Sequence, residues 1–100
     1  MRKKLDRSDR VWLAVDASGD EFIYSQEPRR YRFRPYWYLP GVRYHPIEDP
    51  GTCMRLPRGT IRRVTGMIVK WDNDPVSMLV DSPYYREIAA TIGWPTYNES

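Results

Sequence analysis

The apolar residues of this chain fall in short runs separated by turn-forming residues, a pattern typical of small β-containing domains. Residues 11–15 and 21–25 are two such runs, and residues 16–20 (DASGD) connect them. Gly19 can adopt a left-handed backbone conformation in that connection, so the pattern predicts a β-hairpin with a loop of four or five residues. Pro28 ends the second strand, because proline cannot donate to a strand ladder.

Two later segments have the spacing of helices instead. Thr60 can cap a short helix at about 60–65, and Gly66 can close it. Ser82, which a proline follows, is a strong start for a C-terminal helix at about 83–92. Apolar residues recur along that last segment at helical spacing, so one of its faces is expected to pack on a core.

Two further strands are predicted between these helices, at 67–71 and 76–80. The chain is therefore expected to be α+β: a single small domain over 11–100 with a short, mostly antiparallel sheet, preceded by a flexible basic arm at 1–10. One hundred residues are enough for one modest core. The residues expected to form that core are Val11, Leu13, Val15, Phe22, Ile61, Val64, Ile68, Trp71, Leu79 and Ile88.

Charge is distributed unevenly along the chain. Residues 1–27 hold five basic and six acidic side chains, residues 28–70 hold ten and two, and residues 71–100 hold one and five. The net charge of +3 therefore conceals a middle segment of +8, which concentrates positive potential and attracts anions. A plainer interpretation stays open, in which the acidic segments neutralise the basic one across the fold.

The most basic stretch, residues 28–45 (PRRYRFRPYWYLPGVRYH), contains five arginines, six aromatic residues and no carboxylate. Arginine alternates with rings over 30–34, which in an extended strand puts three guanidinium groups on one face and two rings on the other. Arginine grips phosphate through a planar fork, and rings offer platforms to nucleobases at about 1 to 3 kcal/mol per base. The residues predicted to bind an anionic ligand are Arg29, Arg30, Arg32, Arg34, Tyr36, Trp37, Tyr38, Arg43, Arg62 and Arg63.

Arg62 and Arg63 belong to this set because they follow the helix start at Gly59 and Thr60, where free backbone N–H groups would add phosphate contacts. The alternative for the strand itself is structural. Its rings, Tyr31, Phe33 and Trp37, would then belong to the core, and its arginines would be merely solvated.

Catalytic and metal-binding interpretations have little support. His45 and Cys53 are the only histidine and cysteine, and a nucleophilic pair of the two, oriented by Asp49, has no second supporting motif. A single cysteine excludes an intrachain disulfide and a cysteine-based zinc cage. Asp72 and Asp74 resemble a fragment of a calcium loop, but the following proline and the missing glutamate favour an ordinary turn. No catalytic residue, metal or cofactor is predicted.

Three motifs in the same order resemble a group of very short proteins encoded by bacteriophages and prophages. They are VDASGDE at 15–21, LPRGTI at 56–61 and WDNDPV at 71–76, against VDxxGDE, LPxGTI and W-[DE]-x-x-P-V in that group. The resemblance spans about 11–79 and implies a phage-accessory context without an activity. The arginine–aromatic block at 29–45 and the final helix depart from it.

Together these features favour capture over catalysis. We expect a non-enzymatic phage-type accessory (anti-defence) protein that binds and sequesters an anionic ligand, above all a nucleotide signal. A direct inhibitor of a host defence enzyme and a small nucleic-acid-binding module would show the same arginine and aromatic signature, and both stay open.

Location and assembly follow from similar arguments. No apolar run approaches the roughly 20 residues that cross a bilayer, and the charged N-terminal segment is unlike a secretory signal. We therefore expect no membrane partner and a cytoplasmic location in an infected bacterial host. Proline-interrupted strands and spare aromatic residues predict an uncovered apolar patch, and with it a homodimer or higher oligomer.

Overall fold

Strands and helices combine in a single small domain, which confirms the predicted α+β class. The computed structural model of the protein describes residues 9–30, 35–39 and 53–92. In chain order its elements are β1 (Arg10–Val15), β2 (Glu21–Tyr24), β3 (Arg29–Arg30), β4 (Trp37–Tyr38), β5 (Cys53–Leu56), α1 (Thr60–Thr65), β6 (Val76–Leu79) and α2 (Pro83–Ile92).

Four strands form one antiparallel sheet in the order β5–β2–β1–β6. The predicted hairpin is its centre, with Leu13 opposite Ile23 and Val15 opposite Glu21. Gly19, in the connection between them, has a φ of 92°, a left-handed conformation that glycine adopts at little cost. The turn chemistry that the sequence predicts is therefore the one that the hairpin uses.

Both helices form over the predicted residues, 60–65 and 83–92. Gly66 closes α1 in a left-handed conformation, and its N–H donates to the carbonyl of Arg62 at 2.8 Å. At the start of α2, the hydroxyl oxygen of Ser82 accepts the backbone N–H of the second helical residue at 3.0 Å.

Each face of the sheet carries its own hydrophobic core, because successive side chains of a strand point to opposite faces. The helix-side core, which α1 and α2 cover, consists of Val11, Leu13, Val15, Ile23, Leu56, Ile61, Val80, Tyr85, Ile88 and Ala89. The ribbon-side core, on the other face, consists of Ala14, Phe22, Tyr24, Trp37, Leu39 and Cys53. Burial on both faces explains why β1 is a nearly continuous apolar run.

A two-stranded ribbon of β3 and β4 covers the second face. Arg29 pairs with Tyr38, and Arg30 pairs with Trp37. Trp37 is 3% exposed, and its indole N–H donates to the carbonyl of Val15 at 3.0 Å, which pins the ribbon to β1. Directly paired residues of an antiparallel ribbon share a face. Arg30 therefore faces the sheet with Trp37, whereas Arg29 and Tyr38 face away from it.

Most of the predicted core residues lie in one of these two cores. The buried ones are Val11, Leu13, Val15, Phe22, Ile61 and Ile88. Val64 and Trp71 are half-buried and pack against the helix-side and ribbon-side cores respectively.

The predicted strand at 67–71 and two predicted core residues are wrong. No strand forms there, because β6 takes the sheet position beside β1. Ile68 consequently has no sheet face to pack under and is 64% exposed. Leu79 is 40% exposed, because Val76 and Met78 are the β6 residues that face the helix-side core, and Leu79 therefore points to the other face.

Strand β5 and the start of β1 also differ from the sequence predictions. Strand β5 was not predicted, because the four residues between the Pro/Gly-rich sequence at 46–51 and Pro57 are too short a pattern. Arg10, assigned to the basic arm, is the first residue of β1. The rest of that arm, residues 1–8, lies outside the described residues.

Candidate functional site

A cleft opens on the ribbon side, where the β1–β2 turn, strands β2 and β5 and the start of β4 come together. Its volume is about 320 Å³, at the lower end of the range for small-molecule sites. The residues that line it are Asp16, Ser18, Asp20, Phe22, Pro35, Tyr36 and Arg55. The turn reaches the ribbon directly, since the N–H of Ala17 donates to the carbonyl of Pro35 at 3.1 Å.

Rings form the apolar part of the cleft. Phe22 is buried within the ribbon-side core, whereas Tyr36 is half-buried. Arg55 lies opposite Phe22 in the β2–β5 register, and its guanidinium carbon is 6.0 Å from the centre of the Phe22 ring. An exposed cation thus lies near the Phe22 ring, at the limit of the distance where the ring quadrupole attracts it, in the cleft that Tyr36 also lines.

Asp16 is the buried polar group of the cleft. It is 8% exposed, and its carboxylate accepts the backbone N–H of Trp37 at 3.0 Å. Burial raises the pKa of Asp16 to about 6, assisted by the nearby charge of Asp20 and opposed by the Trp37 hydrogen bond and by Arg55. A poorly solvated carboxylate with a raised pKa therefore forms part of the wall of the cleft.

Asp20, the second carboxylate, is engaged with other side chains. One of its oxygens accepts from two nitrogens of Arg58 at 3.2 and 3.1 Å, and the other accepts from Ser18 at 3.1 Å. The hydrogen bond with Arg58 is the main reason that the pKa of Asp20 is lowered. The guanidinium of Arg58 also donates to the carbonyl of Ser18 at 3.0 Å and so holds the turn.

The carboxylate of Glu21 accepts backbone N–H groups at the start of α1, so the prediction that N–H groups are free there is wrong. Its two carboxylate oxygens accept the N–H of Gly59 at 2.6 Å and the N–H of Ile61 at 2.9 Å. Thr60 was predicted to cap this helix, but it is the first helical residue, and its N–H and hydroxyl both donate to the carbonyl of Pro57. The helix start that was expected to hold phosphate is therefore occupied by an internal carboxylate.

These contacts join two of the sequence motifs. The hairpin motif at 15–21 supplies Asp20 and Glu21, and the turn-helix motif at 56–61 supplies the cation and the N–H groups that they bind. The third motif begins at Trp71, whose ring meets that of Trp37 edge-on at 5.6 Å. All three motifs therefore maintain the packing around the sheet.

Arg30 is a structural tether. Its guanidinium carbon lies 4.7 Å from the ring centre of Trp37 and 5.1 Å from that of Trp71. Its terminal nitrogen donates to the carbonyls of Trp71 at 2.7 Å and Asn73 at 3.1 Å. At Arg30 the predicted cationic face is consequently directed at the two indole rings, although the residue stays exposed, because the pairing with Trp37 fixes its orientation.

The structure separates the other predicted site residues into groups. Arg29 is exposed and Tyr38 half-buried on the outer face of the ribbon, and Tyr36 lines the cleft. Arg62 and Arg63 are exposed on α1, in the layer on the opposite side of the sheet.

Several predicted residues lie outside the described part of the chain. They are Arg32, Arg34 and Arg43, together with the rings Tyr31 and Phe33 of the alternative interpretation. The predicted residues that share the ribbon side within the described ranges are Arg29, Arg30, Tyr36, Trp37 and Tyr38.

Of the seven residues that line the cleft, Tyr36 was predicted as a site residue and the other six were not: Asp16, Ser18, Asp20, Phe22, Pro35 and Arg55. The sequence pattern assigned Asp16 to a turn and Phe22 to the core, and the structure confirms both assignments. The signal for Arg55 was the alternation of β5, which places an arginine between Met54 and Leu56 on the face opposite to theirs. This alternation can be recognised only once residues 53–56 are known to form a strand.

Cys53 and His45 were the residues considered for nucleophilic or metal-binding chemistry. Cys53 is a buried, reduced cysteine of the ribbon-side core, as predicted, and His45 lies outside the described residues. Within the described ranges, no group of three histidine, cysteine or carboxylate side chains is arranged to hold a metal ion. In the same ranges, no helix has both the length and the apolar character needed to span a bilayer.

Comparison of this chain with protein-family models, with curated proteins and with solved structures finds no match. The function of the chain therefore has to be inferred from the chemistry of the cleft and its surroundings.

Proposed function

We propose that the protein is a non-enzymatic capture protein that binds an anionic nucleotide on the ribbon side of its sheet. In the phage-accessory setting that the sequence motifs imply, the ligand would be a nucleotide signal of a host defence system. Holding that signal would keep it from its receptor, and sequestration of this kind needs neither a general base nor a metal.

The observation that carries the proposal is the cleft of about 320 Å³, where two rings and a cation converge. The half-buried Tyr36 supplies apolar surface for a base, whereas Phe22 is 2% exposed and only lines the cleft. The guanidinium of Arg55 lies in the same cleft, 6.0 Å from the centre of the Phe22 ring. Arg29 adds a second exposed guanidinium on the same side of the sheet. Stacking and charge-assisted hydrogen bonds are the two interactions that nucleotide capture requires.

A second candidate is favoured by a separate surface. Met67 and Ile68, just beyond the end of α1, are 45% and 64% exposed. Arg62 and Arg63 are exposed on the same short helix. Adjacent apolar and arginine side chains are typical of protein interfaces, so this surface fits the alternative in which the chain inhibits a host enzyme by direct contact.

The test uses two matched double variants with equal loss of charge. Purified protein is titrated with mononucleotides, cyclic nucleotides and single-stranded oligonucleotides at low and high salt, and is also used to capture partners from host lysate. Arg29→Ala with Arg55→Ala should weaken nucleotide binding by about ten-fold or more, since each removes a hydrogen-bond donor with a positive charge. Arg62→Ala with Arg63→Ala should leave nucleotide binding unchanged.

The outcomes separate the candidates. Nucleotide affinity that falls with salt and with the ribbon-side variant supports capture. Absence of nucleotide binding, with retention of one host protein that the Arg62/Arg63 variant loses, overturns capture and supports the inhibitor. Binding that prefers long oligonucleotides over mononucleotides would instead indicate a nucleic-acid-binding module.

A further inference from the structure

We infer that the accessible end of the ribbon-side sheet face binds single-stranded nucleic acid, with Trp12 stacking on a base and Arg10 contacting a phosphate. This site, the open patch, consists of Arg10 and Trp12 of β1 and of Ser77 and Leu79 of β6. It shares no residue with the cleft, so the inference goes beyond the proposed function and does not depend on it.

The register of the sheet brings these four side chains together. Arg10 pairs with Leu79 and Trp12 pairs with Ser77, and directly paired residues share a face. Trp12 packs against the ribbon-side core, so all four lie on that face. Arg10, Ser77 and Leu79 are exposed and Trp12 is half-buried, whereas Tyr24, the partner of Trp12 on β2, is fully buried. The ribbon-side face is therefore accessible at β6 and the first half of β1.

A cation and a hydroxyl group are held beside the indole of Trp12. The guanidinium of Arg10 donates to the hydroxyl oxygen of Ser77 at 3.2 Å, which keeps the cation on this face. A guanidinium has five N–H donors and a serine hydroxyl has one, so both groups can donate to a phosphate while that bond is kept. The indole has a π-face of the kind on which a nucleobase stacks, and Leu79, which is 40% exposed, adds apolar surface.

Charge favours a polyanion as the occupant of the open patch. None of its four residues is acidic, and Arg10 gives it a positive charge. Residues 1–8 of the sequence contain four basic side chains and one acidic side chain, and this basic segment leads into β1, which begins at Arg10. A nucleic acid strand that extends beyond the patch can meet both sources of positive charge, so each phosphate neutralised by them adds to its affinity.

Stacking decides between single strands and duplexes. A base within a duplex is already stacked on its neighbours, so the indole can receive only the unstacked base of a single strand. Arg10 and Trp12 are two residues apart on an extended strand, which separates them by about 7 Å and allows a base and an adjacent phosphate to be bound together. An exposed sheet face, unlike a cleft, also lets the strand continue in both directions.

The test measures the fluorescence anisotropy of labelled oligonucleotides titrated with the full chain at several salt concentrations. The probes are single-stranded oligothymidylate and oligouridylate, which distinguish DNA from RNA, and a DNA duplex of the same length. We expect the single strands to bind about ten-fold more tightly than the duplex, because only they offer an unstacked base.

Substitutions in the open patch separate stacking from charge. Trp12→Leu should weaken binding about ten-fold with little change in its salt dependence, and Trp12→Phe should recover most of the loss. Arg10→Ala should weaken binding and reduce the slope of log K against log salt by about 0.7, as expected for one phosphate contact on a single strand. Lys70→Ala removes the same charge at an exposed position outside the patch and should change neither quantity. Thermal melting establishes that each variant is folded.

The variants also distinguish the open patch from the cleft. Oligonucleotide binding that is lost in the Arg29→Ala, Arg55→Ala double variant and kept in Trp12→Leu would place the strand in the cleft and overturn the inference. Duplex binding as tight as that of single strands would overturn it as well, because stacking would then contribute nothing. Absence of oligonucleotide binding would overturn the inference alone, since capture of mononucleotides by the cleft is measured in a separate titration.

Discussion

The two cores lie on opposite faces of the same strands but differ in the residue types that form them. In the helix-side core the ten buried residues are aliphatic except for Tyr85, and both helices contribute to them. In the ribbon-side core three of the six buried residues are aromatic, and one is a cysteine. Polar groups adjoin this second core, namely the carboxylate of Asp16 and the guanidinium of Arg30.

This difference shows how a ribbon too small to be stable by itself is held to a sheet. A two-stranded ribbon buries little apolar area, so directional contacts must supplement it. The hydrogen bonds of Trp37 and Arg30 provide them. The helix side depends instead on non-directional burial, which tolerates conservative change. Sensitivity to single groups and to pH is therefore expected on the ribbon side, where the cleft also lies.

Removal of the Trp37 side chain should have the largest effect. Trp37→Ala deletes a ring that is 3% exposed, its contact with Trp71, and the hydrogen bond to Val15. Large-to-small substitutions of buried tryptophan typically cost about 3 to 5 kcal/mol, so we expect a loss of about 4 kcal/mol in the free energy of unfolding. Urea denaturation followed by tryptophan fluorescence and far-UV circular dichroism measures it.

The helix side supplies the control for this variant. Ile88→Ala, in the helix-side core, should lower the free energy of unfolding by about 3 kcal/mol. It should leave the proposed nucleotide binding by the folded protein unchanged. Trp37→Ala should lose binding as well, because the cleft is formed against the ribbon. Equal binding by the two variants would contradict the division of roles between the faces.

The tether through Arg30 should have an intermediate effect. Arg30→Ala removes two hydrogen bonds to carbonyls and the contacts with two indole rings. Arg30 is exposed, so we expect a loss of about 2 kcal/mol rather than the full sum of those interactions. Arg30→Lys should recover less than half, because an ammonium group cannot reproduce the planar stacking between the rings.

Arg29 is the matched control, since it is the neighbouring arginine and points away from the sheet. Arg29→Ala should change the free energy of unfolding by less than about 0.5 kcal/mol, as is usual at exposed positions. A destabilisation by Arg29→Ala as large as that by Arg30→Ala would mean that the ribbon is held by general charge rather than by this tether.

The helix side could be predicted from the sequence far better than the ribbon side, for a physical reason. Apolar periodicity and turn chemistry determine the hairpin, α1, α2 and the burial of Leu13 and Ile88. The inward orientation of Arg30 depends on its pairing with Trp37, which no periodicity reveals. Likewise, Glu21 caps a helix 38 residues further along the chain, at Gly59, and contacts of that range are invisible to local patterns.

The candidate site shows the same limit. Tyr36 was predicted from composition alone, whereas Asp16 and Arg55 enter the cleft because the β1–β2 turn and β5 are brought to the start of β4 by tertiary packing. Composition led to the prediction that the middle segment binds anions. It did not indicate that a buried carboxylate lies beside the cations.

Asp16 makes the third prediction, with the smallest effect and a distinctive pH dependence. Burial raises its pKa to about 6, above the ordinary value near 4, so the folded state binds the proton more tightly than the unfolded state. The stability that this proton contributes is fully present below about pH 4 and is lost as the pH rises through about 6. At pH 7.5 the ionised carboxylate therefore destabilises the fold.

Asp16→Asn removes that cost, because the amide oxygen still accepts the N–H of Trp37 while no charge is buried. We expect the variant to be more stable than the parent chain by about 1 kcal/mol at pH 7.5, a figure reduced for residual solvation, and equally stable at pH 4. Urea denaturation of both proteins at half-unit steps from pH 4 to 8 gives the difference directly, and contributions of other carboxylates cancel in it. Asp74→Asn, which removes the same charge at an exposed position, is the matched control for the loss of one negative charge. A stability difference for Asp16→Asn that is independent of pH would mean that Asp16 is well solvated, and the expected pH sensitivity of the ribbon side would then have no basis in this residue.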